Sequence, residues 1–251
     1  MKVGKLQNLV RWSRYQVEIT SLALLGIIVA AVWTLAELTD EVVEGSTRNL
    51  DRDILLLLRT PANLSDPIGP WWLEEMGRDI TALGGVAVLT LMTLIVSLFF
   101  LLLRRWTSAL YILMTIGGGI VISSIAKDFF DRPRPDLVPH ASIVQSASFP
   151  SGHSMMAAIV YLSLGVLIAR VQPRFGLKLY VMIVAILLAL LVGISRIYMG
   201  VHWPTDVAAG WLAGGAWAMI CLIVARILAS RGHIEEGALE ERNRQLRNRS
   251  F

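Results

Sequence analysis

Two stretches of this chain, residues 80–103 and 106–126, each run for more than 20 residues without a charged side chain, and no other feature restricts the fold as tightly. About 20 apolar residues span the hydrocarbon core of a bilayer as a helix. Inside lipid, only helices and closed barrels satisfy every backbone polar group. Residues 207–225 nearly reach the same length, and 20–36, 154–169 and 179–195 are shorter runs that their flanks can extend. The pattern predicts an all-α, polytopic membrane protein with six transmembrane helices. For the three shorter runs the alternative is a buried helix in a soluble core, and three long neighbours weigh against it. Composition agrees, with 55% of the 251 residues hydrophobic and a mean hydropathy of +0.61.

The formal charge of +4 invites a nucleic-acid partner. The basic residues instead sit in short loops and tails between apolar runs, which is the pattern of topology determinants, so no nucleic-acid partner is expected. Lys2, Lys5, Arg11 and Arg14 precede the first apolar run, which reads as an uncleaved anchor because it is long and no small-x-small cleavage site follows. Residues 1–19 are thus expected to be a cytoplasmic segment, 20–228 a six-helix transmembrane domain, and 229–251 a polar cytoplasmic tail. Within the domain, residues 39–79 are net acidic and carry Trp71 and Trp72, a pair suited to the membrane–water interface. This connection is expected to lie on the outer bilayer surface. Cytoplasmic assignment of both tails and of the turns at Arg104–Arg105 and Arg170–Lys178 gives that side 15 of the 23 Lys and Arg residues. The loops 127–153 and 196–206 then share the outer side. Cys221 lies inside the last apolar run and reads as a packing residue.

Those two outer loops hold the charged residues that packing does not explain. The first contains Lys127, Arg134 and Pro135, and ends in Pro150-Ser151-Gly152-His153. The second runs Ser195-Arg196, five residues, His202, three residues, Asp206. These stretches resemble the tripartite signature of the type 2 phosphatidic acid phosphatase family, K-x6-RP, PSGH and SR-x5-H-x3-D. All 11 signature positions match in order and spacing, within residues 127–206. The N-terminal third carries none of it.

The residue types suit phosphate chemistry. Phosphoryl transfer needs positioning and electrostatic stabilisation of charged oxygens. Lys127, Arg134 and Arg196 supply three cations, and arginine matches phosphate oxygens with a planar fork. Ser151 and Gly152 fall where a helix begins, and helix N-termini bind anions. His202 and Asp206 are four apart, with Pro204 setting the helix start. A carboxylate on one ring nitrogen leaves the other able to attack. The resemblance implies that His202 is the nucleophile and forms a phosphohistidine. It also implies that His153 serves as general acid and then base, and that Asp206 orients His202. Ser195 is expected to contact the phosphate or to fix Arg196. His140 and His233 are off the signature and read as structural. Arg132, Asp128 and Asp131 read as loop salt bridges or headgroup contacts, the Gly117–Gly119 run as close helix packing, and Met155–Met156 as core.

No cofactor is expected, and no metal, since the outer loops lack a His or Cys cluster with ligand spacing. The expected activity is hydrolysis of lipid phosphate monoesters or pyrophosphates such as phosphatidic acid, phosphatidylglycerol phosphate or undecaprenyl pyrophosphate. The expected location is the cell (inner) membrane, with the site on the periplasmic or extracellular face. A lipid-to-lipid phosphotransferase would use the same residues. Vanadium-dependent haloperoxidases share such a pocket but are soluble, and a lipid transporter would place its ionisable groups near mid-membrane.

Overall fold

The computed structural model of the protein describes residues 2–136 and 147–230; His140, His233 and residues 231–251 of the polar tail lie outside the described residues. The chain forms α1 (Lys2–Glu44), α2 (Arg48–Leu57), a short hairpin of β1 (Arg59–Thr60) and β2 (Asn63–Pro67), α3 (Trp71–Leu83), α4 (Val86–Leu102), α5 (Trp106–Phe130), α6 (Gly152–Val171), α7 (Phe175–Tyr198) and α8 (Pro204–Ser230). Five of these are long and apolar enough to cross a membrane: α1 over Ser21–Glu44, and α5 to α8. The count reaches six when α3 and α4, which meet at a 45° bend, are taken together as one span. Leu98, Phe99, Ile125 and Leu187 lie exposed on α4, α5 and α7, as expected of faces solvated by lipid rather than water.

That bend corrects the expectation of an uninterrupted span over 80–103. The chain breaks at Gly84 and Gly85, and the cause is packing. A Cβ at Gly84 would come within 2.3 Å of Val192 Cγ1, so the bare backbone lies directly on α7. The Leu83 carbonyl released by the break accepts a hydrogen bond from the Tyr161 hydroxyl at 2.8 Å, which keeps a polar group from going unpaired in an apolar setting. Arg78 and Asp79 lie inside α3, and Arg78 pairs with Glu74 one turn earlier at 2.5 Å.

The expected surface connection over 39–79 is also more structured than its composition suggests. α1 continues to Glu44, and α2 turns one face inward, burying Asp51 and Leu55. Val42, at the end of α1, packs with Phe149 and Ala209.

α6 is the centre of the bundle, with Met155, Ile159 and Val160 fully buried. Close approach to α8 depends on two glycines one turn apart. A Cβ at Gly210 would sit 2.7 Å from the Ser151 carbonyl oxygen, and one at Gly214 would sit 2.5 Å from that of Met155. Small residues at this spacing let membrane helices meet backbone to backbone. Gly118 and Gly119 let side chains seat directly on the α5 backbone, Trp217 on the first and Ile159 on the second. The Trp217 and Trp211 indoles donate to the carbonyls of Thr115 (2.7 Å) and Ala189 (3.0 Å), tying α8 to α5 and α7. This packing gathers the C-terminal ends of α5 and α7 and the N-terminal ends of α6 and α8 at one end of the bundle. The turns after α4 and α6 lie at the other.

Candidate active site

At the polar end, Lys127 and Arg196 stand in the last turns of α5 and α7, not in the loops to which their charge assigned them. A helix C-terminus favours a cation. α5 stops at Asp131, whose φ of 34° and ψ of 37° are left-handed, a conformation that Asp tolerates better than most residues. The loop that follows is pinned from two sides. The Ser148 N–H donates to the Arg132 carbonyl at 2.8 Å, and the Trp203 indole donates to that of Pro133 at 3.0 Å. Ser151 caps α6: its Oγ accepts from the Ser154 N–H at 3.5 Å and from the Ser154 hydroxyl at 2.9 Å. Its own N–H donates to the Asp206 carbonyl at 2.9 Å, joining the starts of α6 and α8. Pro204 opens α8, a position where its missing N–H costs nothing.

His202 sits between these helix ends and is 1% exposed. Its Nδ1 lies 3.3 Å from Oδ2 of Asp206, and its Nε2 lies 3.2 Å from Nη1 of Arg134. A guanidinium can only donate, so Nε2 is the acceptor of that bond and the ring proton resides on Nδ1, facing the carboxylate. Burial pushes the His202 imidazole down to about 4, against the pull of its hydrogen bond to Asp206. The ring is therefore neutral at physiological pH, with a lone pair on Nε2. Asp206 itself is fully buried. Its Oδ2 also accepts from the Ser148 hydroxyl and from the Trp203 N–H at 3.0 Å. Its Oδ1 accepts from Nη1 of Arg132 at 2.5 Å.

The Nε2 side of the ring is cationic. Arg134 is held by the Val201 carbonyl at 3.1 Å. Lys127, Arg134, Arg196 and His202 all lie within electrostatic reach of His153 in the first turn of α6. The Lys127 ammonium rests against the α6 backbone, 3.2 Å from where a Cβ on Gly152 would be. Among the described residues neither Lys127 nor Arg196 forms an ion pair with a carboxylate, and the buried Nε of Arg196 has no hydrogen-bond partner. Among the described residues, no group of three or more His, Cys, Asp or Glu could hold a metal ion. A cavity of about 470 Å³ opens from this cluster between α4, α5 and α6, with Lys127, Gly152 and His153 at its head. Leu89, Thr93, Ile116, Gly117 and Ile120 line its length.

Of the nine residues picked out in the sequence, the structure brings Lys127, Arg134, Gly152, His153, Arg196, His202 and Asp206 together. Ser195 points elsewhere: it is buried in α7, donates to the Val192 carbonyl at 2.7 Å and meets the Thr81 hydroxyl at 2.7 Å; a helical residue one position before Arg196 faces a different side. Ser151 caps α6 with the lone pairs of its Oγ, which leaves its O–H out of both bonds. Three residues were missed as parts of the site. Ser148 follows a stretch without a motif. Arg132 is the loop salt bridge expected of it; what the sequence did not disclose is that one of its partners is Asp206. Asp51 comes from α2 and bonds Arg132 at 2.7 Å. Its signal is an acid one helical turn before the apolar Leu55, on the face that packs inward.

The PAP2 superfamily profile matches residues 107–228. Phosphatidylglycerophosphatase B of Bacillus subtilis (strain 168) is 38% identical over 146 residues, covering 57% of this chain and 70% of the relative. Lipid A 1-phosphatase of Rhizobium etli is 26% identical over 196 residues, covering 68% of this chain and 78% of the relative. Among solved structures, the transmembrane PAP2-type phosphatidylglycerolphosphate phosphatase from Bacillus subtilis superposes with a TM-score of 0.70 at 30% identity, over 80% of this chain and 96% of that one.

Proposed function

The chain belongs to the PAP2 superfamily and is a membrane enzyme of its lipid-phosphatase type; from that premise we propose that it hydrolyses lipid phosphate monoesters or pyrophosphates through a phosphohistidine on His202. One observation carries the reading: the His202 ring is divided, with Nδ1–H toward Asp206 and the Nε2 lone pair toward a cluster of cations. Lys127, Arg134 and Arg196 draw the phosphate oxygens in and neutralise the charge that builds on them. Gly152 lets the phosphate approach the start of α6. Nε2 attacks phosphorus, and the bond to the leaving oxygen breaks with a proton delivered from His153. Asp206 stabilises the charge that develops on the ring. His153 then takes a proton from water, whose oxygen attacks phosphorus and displaces Nε2, releasing inorganic phosphate.

The apolar cavity with its cationic head supports a lipid as the substrate, since a hydrocarbon chain fits the lining while the phosphate meets Lys127 and His153. The relative whose name specifies phosphatidylglycerophosphate makes that lipid the first to try. The charge distribution supports a site on the outer face of the cell membrane, with the α4–α5 and α6–α7 turns in the cytoplasm. Single cysteines at Asp136→Cys and Pro173→Cys, in a Cys221→Ala background, test this sidedness. An impermeant maleimide applied to intact cells labels the first and not the second; the reverse pattern overturns the assignment.

The functional test is phosphate release by purified protein in detergent, across phosphatidylglycerol phosphate, phosphatidic acid, undecaprenyl pyrophosphate and a water-soluble sugar phosphate. At least one lipid should exceed the sugar phosphate in kcat/KM by an order of magnitude or more. Equal efficiency on all four refutes the lipid reading.

A further inference from the structure

Asp206 is held by more than its histidine. The carboxylate accepts from the Ser148 hydroxyl, the Trp203 N–H and Arg132, which leaves it a single orientation. Of these donors only Arg132 brings charge. Its guanidinium forks between two fully buried carboxylates, Nη1 on Asp206 Oδ1 at 2.5 Å and Nη2 on Asp51 Oδ2 at 2.7 Å. The Arg132 side chain itself is only 12% exposed. Its plane is further fixed by Thr205, whose hydroxyl accepts from Nη1 at 2.9 Å, and by the Trp203 ring, 5.7 Å from the guanidinium carbon. Asp51 also seats the start of α8, accepting from the Thr205 N–H at 3.0 Å and the Thr205 hydroxyl at 2.6 Å.

We infer that Asp51 and Arg132 are positioning residues for the phosphatase reaction: Asp51, from a helix outside the signature, anchors Arg132, and Arg132 sets the orientation and effective charge of Asp206, through which His202 is aimed. This rests on His202 being the nucleophile. Neither residue is placed on the Nε2 side of the ring; they act one step behind Asp206. The planar fork of Arg132 presents two donors in fixed geometry, one to each carboxylate, so the pair works as a unit. Its placement also explains why α2, a short helix between the first span and α3 and remote from every motif, is packed onto the start of α8.

The electrostatic sign gives a test that a purely structural role does not pass. The charged and titratable groups around His202 are Asp206 from α8, Arg134 from the loop after α5, Lys127 from α5, His153 from α6 and Arg196 from α7, with Arg132 and Asp51 behind Asp206. Removing the Arg132 charge leaves Asp206 a stronger anion and holds the proton on His202 more tightly. The acid limb of the kcat/KM profile then moves to higher pH, by roughly one unit.

The experiment compares Arg132→Gln, Arg132→Lys, Asp51→Asn and His202→Ala in the full chain, purified in detergent. Each is assayed on the preferred lipid of the panel, with folded protein quantified by size exclusion. Arg132→Gln should lower kcat per folded molecule on the order of 10²-fold, with KM within about twofold and the acid limb raised. Asp51→Asn should lower kcat by less. Arg132→Lys should return the limb toward the parent while recovering only part of kcat, which keeps the question answerable where the Gln variant does not fold. Unchanged kcat in Asp51→Asn and Arg132→Lys overturns the inference, as does loss of activity in step with folded protein and an unmoved limb. An active His202→Ala overturns the phosphohistidine reading instead, so the two failures are distinct.

Discussion

The two sides of the His202 ring are built on opposite plans. On the Nδ1 side, two buried carboxylates, one guanidinium, two hydroxyls and two backbone N–H groups satisfy one another at hydrogen-bond distance. On the Nε2 side the charges are of one sign, and neither Lys127 nor Arg196 meets a carboxylate among the described residues. A buried polar network is stable when every member is paired, so the first side can be rigid and contribute to folding. Like charges brought together repel, so the second side stores unfavourable energy that an anion relieves. Geometry is held on one side and binding energy on the other, and the imidazole joins the two.

Removing the ring should have the largest effect. His202→Ala is expected to abolish phosphate release, and a variant retaining more than a few per cent of the parent rate on the preferred lipid would mean that the ring is not the nucleophile. Asp206→Asn keeps the shape of the closed side and should leave a small remainder. Next comes the cationic side. Arg196→Ala, which deletes a donor whose Nε has no partner among the described residues, is expected to lower kcat by about 10²–10³, the effect of removing one preorganised donor to developing charge. A loss confined to KM would instead make Arg196 a ground-state binder.

The two sides also differed in how far the sequence disclosed them. The cationic side was legible because phosphate chemistry demands particular residue types at helix ends, and Lys127, Arg134, Arg196 and His202 fall at signature spacing. The closed side was half legible. Asp206 is tied to His202 by a four-residue spacing across the start of α8. Asp51 and Arg132 are joined across 81 residues, and no local periodicity encodes a contact between a surface helix and a loop. The five long spans were readable from hydropathy, but hydropathy is blind to direction and so read through the bend at Gly84–Gly85 in the sixth, α3 with α4. Ser195 failed for a related reason: adjacent positions on a helix point about 100° apart, so motif membership alone does not place a side chain in the site.

A smaller and graded effect is expected from pH. Burial lowers the His202 imidazole to about 4, so the neutral ring persists until pH falls through that value. Protonation removes the Nε2 lone pair, so kcat/KM should fall with decreasing pH along a limb centred near 4, not near the ordinary histidine value of about 6.5. A limb near 6.5 that responds to Asp206→Asn would show that the closed side pulls harder on the proton than burial pushes.

The smallest expected effect is none at all, and it separates the two sides most cleanly. Lys127, Arg134 and Arg196 already supply three positive charges where a phosphate would bind, and arginine forks present donors in the geometry that phosphate oxygens require. A divalent ion added to that side would meet repulsion from all three. Turnover of the preferred lipid should therefore be the same in EDTA as in Mg²⁺. Orthovanadate should inhibit in both, because it takes up the five-coordinate geometry of the transferring phosphorus and meets the same cations. Loss of activity in EDTA that Mg²⁺ restores would mean that the cationic side is incomplete without metal, and that the repulsion stored there is relieved by something other than the substrate's own charge.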